Sequence, residues 1–217
     1  MKYTVTLLIL ILLTLAGLQY PSWQKSLQQL AIAEQRTDEV IARGSNTLNF
    51  SDLTEMRRLP SNIGDVTNLK YLTIRDTNLT DLSGLERSTT LTNLDLNGTR
   101  VSDLTPLAGL PELKLLYLHD TWISDLSPLA ALPFLARLDI GKTQIETLQP
   151  LTQIESLTWL NLYSSHALDG SQAHFRTLKE QPLLDVSAGN SYQANYRPGW
   201  QYIATVRLSR LREQLGL

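Results

Sequence analysis

Apolar positions between Leu69 and Leu162 recur in a fixed frame of 22 residues. The stretches "LKYLTI", "LTNLDL", "LKLLYL", "LARLDI" and "LTWLNL", which begin at Leu69, Leu91, Leu113, Leu135 and Leu157, share the pattern L-x-x-L-x-L. Its alternation has the period of a β-strand, with the leucines on one face. Five copies in constant register predict parallel neighbouring strands whose leucines stack in columns. Leu79, Val101, Ile123 and Ile145 extend the inward rows, followed by Leu82, Leu104, Leu126 and Leu148. A single coil of this kind leaves both sides of its apolar rows in water, so copies stabilise one another by stacking.

Between these rows the polar residues have predicted tasks. Thr77, Thr99, Thr121 and Thr143, with Ser165 in the last copy, are expected to turn the chain and hydrogen-bond backbone groups of the adjacent coil. Thr105-Pro106 and Ser127-Pro128 read as a helix N-cap followed by proline at the first helical position, and Pro111 and Pro133 mark the exit. Asp81, Asp103 and Asp125 form a column that could hold calcium, or could accept backbone N–H groups ahead of the short helices; the second reading is preferred.

With its repeats aligned, the chain resembles the leucine-rich repeat family, and "ISDLSPLAAL" from Ile123 is most similar to the bacterial internalin-like 22-residue subtype. The resemblance covers about Leu48 to Val186 and implies an α/β solenoid. Its expected form is a horseshoe with a parallel concave β-sheet, short 3-10 or α segments on the convex side and helical caps at both ends. The opening copy from Leu48 is longer than the others, and Gly84 stands where later copies have proline. The family's usual asparagine after the strand is threonine here, and no cell-wall anchoring motif or following immunoglobulin-like module is visible, so host-cell invasion is not implied.

The ends are expected to cover the array. The segment "PSWQKSLQQLAIAEQRTDEVIARG" predicts a cap helix within residues 17–44, with Trp23, Leu27, Leu30, Val40 and Ile41 near one face and Gly44 as its stop. The repeats then occupy 45–186. Their last copy predicts a helix from an Asp169 N-cap to about Lys179 and a strand from Leu183 to Val186. Residues 187–217 read as a C-terminal cap and amphipathic tail, with Leu208, Leu211 and Leu215 on one side of a short basic helix.

Location is read from the start of the chain. Lys2 precedes an apolar run from Val5 to Ala16, and small residues at Thr14 and Ala16 suit cleavage before Gly17. Residues 1–16 are therefore expected to be a signal peptide, with a membrane anchor through residues 5–20 as the alternative. The protein is expected to be exported, periplasmic or secreted, or else held in an inner membrane and facing the periplasm.

Composition narrows the rest. With 217 residues of which 42% are hydrophobic, the chain can bury a core, and disorder is not expected. A net charge of -2 with interspersed signs provides no nucleic-acid footprint. The absence of cysteine excludes disulfides and thiolate metal sites. No cofactor is expected. Ser164, Ser165 and His166 adjoin, and His119 and Asp139 fall on adjacent strands, but no glycine elbow or phosphate loop accompanies them, so no catalytic or metal residue is assigned. N-x-S/T triplets at Asn49, Asn78 and Asn97 arise easily in so Asn- and Thr-rich a repeat.

Residues between the strand leucines point to the concave side. One column runs Tyr71, Asn93, Leu115, Arg137, Trp159; the next runs Thr73, Asp95, Tyr117, Asp139, Asn161; a third runs Arg75, Asn97, His119, Gly141, Tyr163. Trp122 belongs to a loop column with Asn78, Arg100 and Gln144. Strands about 4.8 Å apart would gather Tyr117, His119, Trp122, Arg137, Asp139, Trp159 and Tyr163 into one patch, with Tyr71 and Arg75 further along. Aromatic residues with arginine compose interaction hot spots, so a protein or peptide partner is expected on the concave sheet of a monomer. The same residues also suit a half-exposed sheet by strand propensity, and Leu115 fits a surface lying under the terminal segment.

Overall fold

The computed structural model describes residues 22–165 and 171–187. The N-terminal apolar run, Asp169, His166 and the C-terminal amphipathic tail lie outside the described residues. Helix α1 (Ser22–Arg43) leads into strand β1 (Thr47–Asn49), and the repeats supply β2 (Tyr71–Thr73), β3 (Asn93–Asp95), β4 (Leu115–Tyr117), β5 (Arg137–Asp139) and β6 (Trp159–Asn161). Helix α2 (Ser171–Glu180) and β7 (Asp185–Ser187) complete the described array. All seven strands form one parallel sheet in chain order. This is the expected horseshoe, with its helical segments on the opposite side.

The register is that of the leucine columns. Leu48, Leu72, Leu94, Leu116, Leu138, Leu160 and Val186 are paired in succession and buried. The inward rows at Leu79, Val101, Ile123 and Ile145 and at Leu82, Leu104, Leu126 and Leu148 are buried too, in one continuous core. Coil length varies only at the ends: Thr47 pairs with Tyr71 and Trp159 with Asp185, longer steps than the 22 residues between β2 and β6. The longer first coil fills its extra space with Phe50 and Met56, both fully buried. The longer last coil replaces a short 3-10 turn with α2, whose Phe175 and Leu178 are buried.

The buried hydroxyl column works differently from the expectation. Thr99, Thr121 and Thr143 donate to the carbonyls of Leu96, Leu118 and Ile140 in their own coils, at 2.8, 2.7 and 2.5 Å. They close the turn after each strand by satisfying a carbonyl that has left the ladder. Only Ser165 reaches the adjacent coil, donating to the Ile140 carbonyl.

The helix caps are also reassigned. Thr105 and Ser127 are the first residues of 3-10 segments Thr105–Leu107 and Ser127–Ala131, and their side chains do not cap them. Instead Asp103 accepts the Thr105 N–H at 2.8 Å, Asp125 the Ser127 N–H at 2.8 Å, and Asp81 the Ser83 N–H at 2.9 Å. The hydroxyls of Ser83, Thr105 and Ser127, followed by these N–H groups, hold the three carboxyls below the usual range. No cluster of metal-ligand type occurs among the described residues.

Helix α1 ends as expected at Gly44, whose φ of 64° admits a left-handed stop. Gly44 N–H bonds to the Ile41 carbonyl and Ser45 N–H to that of Val40, a Schellman closure. Its buried face is the predicted one only in part. Leu30, Ala33 and Thr37 are buried and Val40 packs beside them, whereas Trp23, Leu27 and Ile41 are exposed. The small Ala33 and the Thr37 hydroxyl, bonded to the Ala33 carbonyl at 2.7 Å, permit close approach to the first coil. Arg36 clamps the helix there through both oxygens of Asp52 and the Asn49 carbonyl. The final strand begins at Asp185 rather than Leu183, because Leu183 is exposed while Leu184 is buried.

Candidate functional site

Strand pairing aligns the concave columns as read from sequence. Tyr71, Asn93, Leu115, Arg137 and Trp159 are consecutive partners, as are Thr73, Asp95, Tyr117, Asp139 and Asn161. None of these side chains enters the core; Tyr117 and Trp159 are half-buried and Arg137 is exposed. Tyr71 and Tyr163, at 44% and 52% exposure, are open enough for a visitor to cover.

Much of the second column proves to be structural, a role that the sequence pattern concealed. Asn49, Asp95, Asp139 and Asn161 each accept the N–H two residues ahead, of Ser51, Asn97, Gly141 and Tyr163. These side chains terminate their strands in Asx turns. Where the column holds Thr73 or Tyr117, a side chain of the preceding coil substitutes: Ser51 accepts the Arg75 N–H and Asn97 the His119 N–H. Tyr117 is thereby released from strand-end duty. The alternation of Asx and non-Asx residues at 49, 73, 95, 117 and 139, beside Ser51 and Asn97, is the signal that could have exposed this division.

Three features organise the patch over β4, β5 and β6. The Arg137 guanidinium lies over the Trp159 ring, 4.9 Å from its centroid. His119 Nδ1 lies 3.6 Å from Asp139, whose same oxygen accepts Asn161 Nδ2 at 3.0 Å. Gly141 makes that arrangement possible, since a Cβ there would sit 2.5 Å from His119 Nδ1. Further along, Arg75 pairs with Asp95 at 3.5 Å. Burial raises the Asp95 carboxyl above the usual range, opposed by the Asn97 N–H and Arg75.

Among the described residues, no hydrogen bond or ring contact joins Trp122 to the strand residues. It stacks instead against Arg100 of its own loop column, with 5.6 Å from guanidinium to ring centroid, and is 62% exposed. Tyr71 and Arg75 sit on the β2 side, two coils from Tyr117.

With this geometry, the comparisons with known proteins become interpretable. The family model described as "Leucine Rich repeats (2 copies)" matches residues 67–109 and 111–153, the span in which the coils are regular. The chain carries leucine-rich repeats over this span. Its solenoid is similar to an internalin from Listeria monocytogenes, at 25% identity and a TM-score of 0.54, over 64% of this chain and 43% of that one. Internalin C2 of the same species is similar at 24% identity and a TM-score of 0.55, over 76% of this chain and 88% of the other. A leucine-rich repeat protein of Leptospira interrogans aligns with a TM-score of 0.58 at 22% identity, over 67% of this chain and 37% of its own. The latter two likenesses concern the fold alone. The chain spans less than half the length of the first and third of these structures. No curated protein matches the sequence.

Proposed function

We propose that this leucine-rich repeat array is a non-enzymatic binding module that takes a protein or peptide partner on its concave sheet, over β4, β5 and β6. The observation that carries the reading is the release of Tyr117 from turn duty beside the stacked Arg137 and Trp159. Aromatic and arginine side chains on a rigid, half-exposed sheet cost little entropy to dock against. Tyr163, Tyr71 and the His119–Asp139 pair extend the surface, with Arg75 and Trp122 at its margins. The module acts as a monomer exported through its N-terminal segment.

Crosslinking pull-down from the native host tests this. Tyr117→Ala and Trp159→Ala are expected each to remove partner capture, a loss of 2 kcal/mol or more typical of a hot spot (about thirtyfold), while the melting temperature stays nearly unchanged. Intact capture by both variants removes the reading.

A second placement, a membrane-tethered assembly component, draws support from Trp23 and Leu27. They are exposed at the start of α1, a few residues beyond the apolar run. Among the described residues no helix is long and apolar enough to cross a membrane. Fractionation with N-terminal sequencing separates the two: a mature start at Gly17 fits the free exported module, and an intact start in the membrane fraction fits the tether.

A further inference from the structure

On the concave face Asp95 and Asp139 already have partners, whereas Asp185, exposed on β7 beside Trp159, and the central cation Arg137 make no ion pair among the described residues. Asp95 holds the Asn97 N–H and faces Arg75. Asp139 holds the Gly141 N–H and Asn161 Nδ2 and faces His119. Arg137, on the same strand as Asp139, makes no ion pair among the described residues. Its guanidinium rests on the Trp159 ring.

Stacking engages the face of a guanidinium and leaves the N–H donors along its edge. It also narrows the rotamers of a long side chain before anything binds, which lowers the entropy cost of docking. An exposed arginine held in this way is a preformed fork for a carboxylate. Lys114 is its neighbour, since the Lys114 carbonyl accepts the Arg137 N–H at 3.0 Å, and it is exposed without an ion pair among the described residues. Leu115, paired with Arg137, supplies an apolar floor next to Tyr117.

We propose that the partner contributes an acidic segment, with an Asp or Glu carboxylate seated on the edge of Arg137 and an adjoining apolar or aromatic side chain lying on Leu115 and Tyr117. This rests on the concave-face reading above. A basic segment is less favoured, because Asp95 already pairs with Arg75 and Asp139 already holds Asn161 Nδ2 and faces His119.

The test uses the full chain with labelled random copolymers of matched length, poly(Glu,Tyr) and poly(Lys,Tyr), and follows binding by fluorescence anisotropy. Poly(Glu,Tyr) is expected to bind and poly(Lys,Tyr) not to. Arg137→Gln is expected to weaken the acidic copolymer about tenfold or more. Arg137→Lys should recover only part of the affinity, since an ammonium keeps the charge and lacks the fork. Equal binding of both copolymers, wild-type affinity in Arg137→Gln, or equally strong binding of heparin would overturn the assignment. A photo-crosslinker at Leu115, used in native-host extract, separates this inference from the site beneath it. A crosslinked partner peptide containing Asp or Glu supports the proposal, whereas one without either overturns it and leaves the concave site standing. Partner capture with no crosslink from Leu115 removes both.

Discussion

Replacing Thr121 by valine changes one hydroxyl to a methyl within a buried column and leaves the shape nearly intact. The Thr121 hydroxyl donates to the Leu118 carbonyl at 2.7 Å and is its hydrogen-bond donor. The corresponding carbonyls elsewhere have a second donor: Leu96 also receives the Thr99 N–H at 3.2 Å, and Ile140 also receives Ser165. Thr121→Val therefore strands a buried carbonyl, which costs about 1 to 3 kcal/mol. Thr99→Val and Thr143→Val each leave a bond in place and should cost about 1 kcal/mol or less. Urea denaturation of the three variants, compared by midpoint at constant slope, measures the difference. The expected ranking places Thr121→Val lowest in stability by a clear margin. Equal midpoints, or Thr99→Val as the weakest, would refute the assignment of these hydroxyls to their own coil.

Other outcomes follow from the coils' irregularities. Ser88 occupies the row that holds Leu110 and Leu132, and its buried hydroxyl has no hydrogen-bond partner among the described residues; Ser88→Ala should be neutral or stabilising by about 1 kcal/mol in denaturant unfolding. Gly84 has a φ of 99°, so Gly84→Pro, which copies the later repeats, should lower stability by about 3 kcal/mol or more in the same measurement rather than improve it. Asp81 has a folded-state carboxyl held low by Ser83, so its stabilisation is complete above the unfolded value of about 3.9 and is lost as pH falls through the folded value. Asp81→Ala should cost about 0.5 to 1 kcal/mol at pH 7, and the gap from wild type should narrow in melts as pH falls below the unfolded value. Asp95 has the opposite sign: burial raises its carboxyl, so ionisation costs stability as pH rises through the folded value. Asp95→Asn, which retains an acceptor for the Asn97 N–H, should melt no lower than wild type at pH 7 and should remove that part of the pH dependence.

The solenoid was legible because a 22-residue period leaves little freedom: once one leucine faces inward, register places all its counterparts. The short-range polar bonds were less legible. In Asp103-Leu104-Thr105-Pro106 the preferred reading, a carboxylate accepting a backbone N–H, held, but the sequence did not show that Thr105 enters the 3-10 turn instead of capping it. Helix α1 misled for a different reason. Trp23, Leu27 and Ile41 outweigh Ala33 and Thr37 in hydrophobicity, yet close packing against the first coil favours the smaller side chains. At the site, Tyr117, Arg137 and Trp159 followed from register, whereas the turn-closing work of Asp95, Asp139 and Asn97 depends on pairs of side chain and N–H that no single column reveals.

Titration of the captured native partner against the Tyr117→Ala, Trp159→Ala double variant is the most direct trial of a free concave face on a fixed leucine spine. The account predicts affinity reduced by about a hundredfold or more with the melting temperature held within a few degrees of wild type. Wild-type affinity in a folded double variant would contradict it.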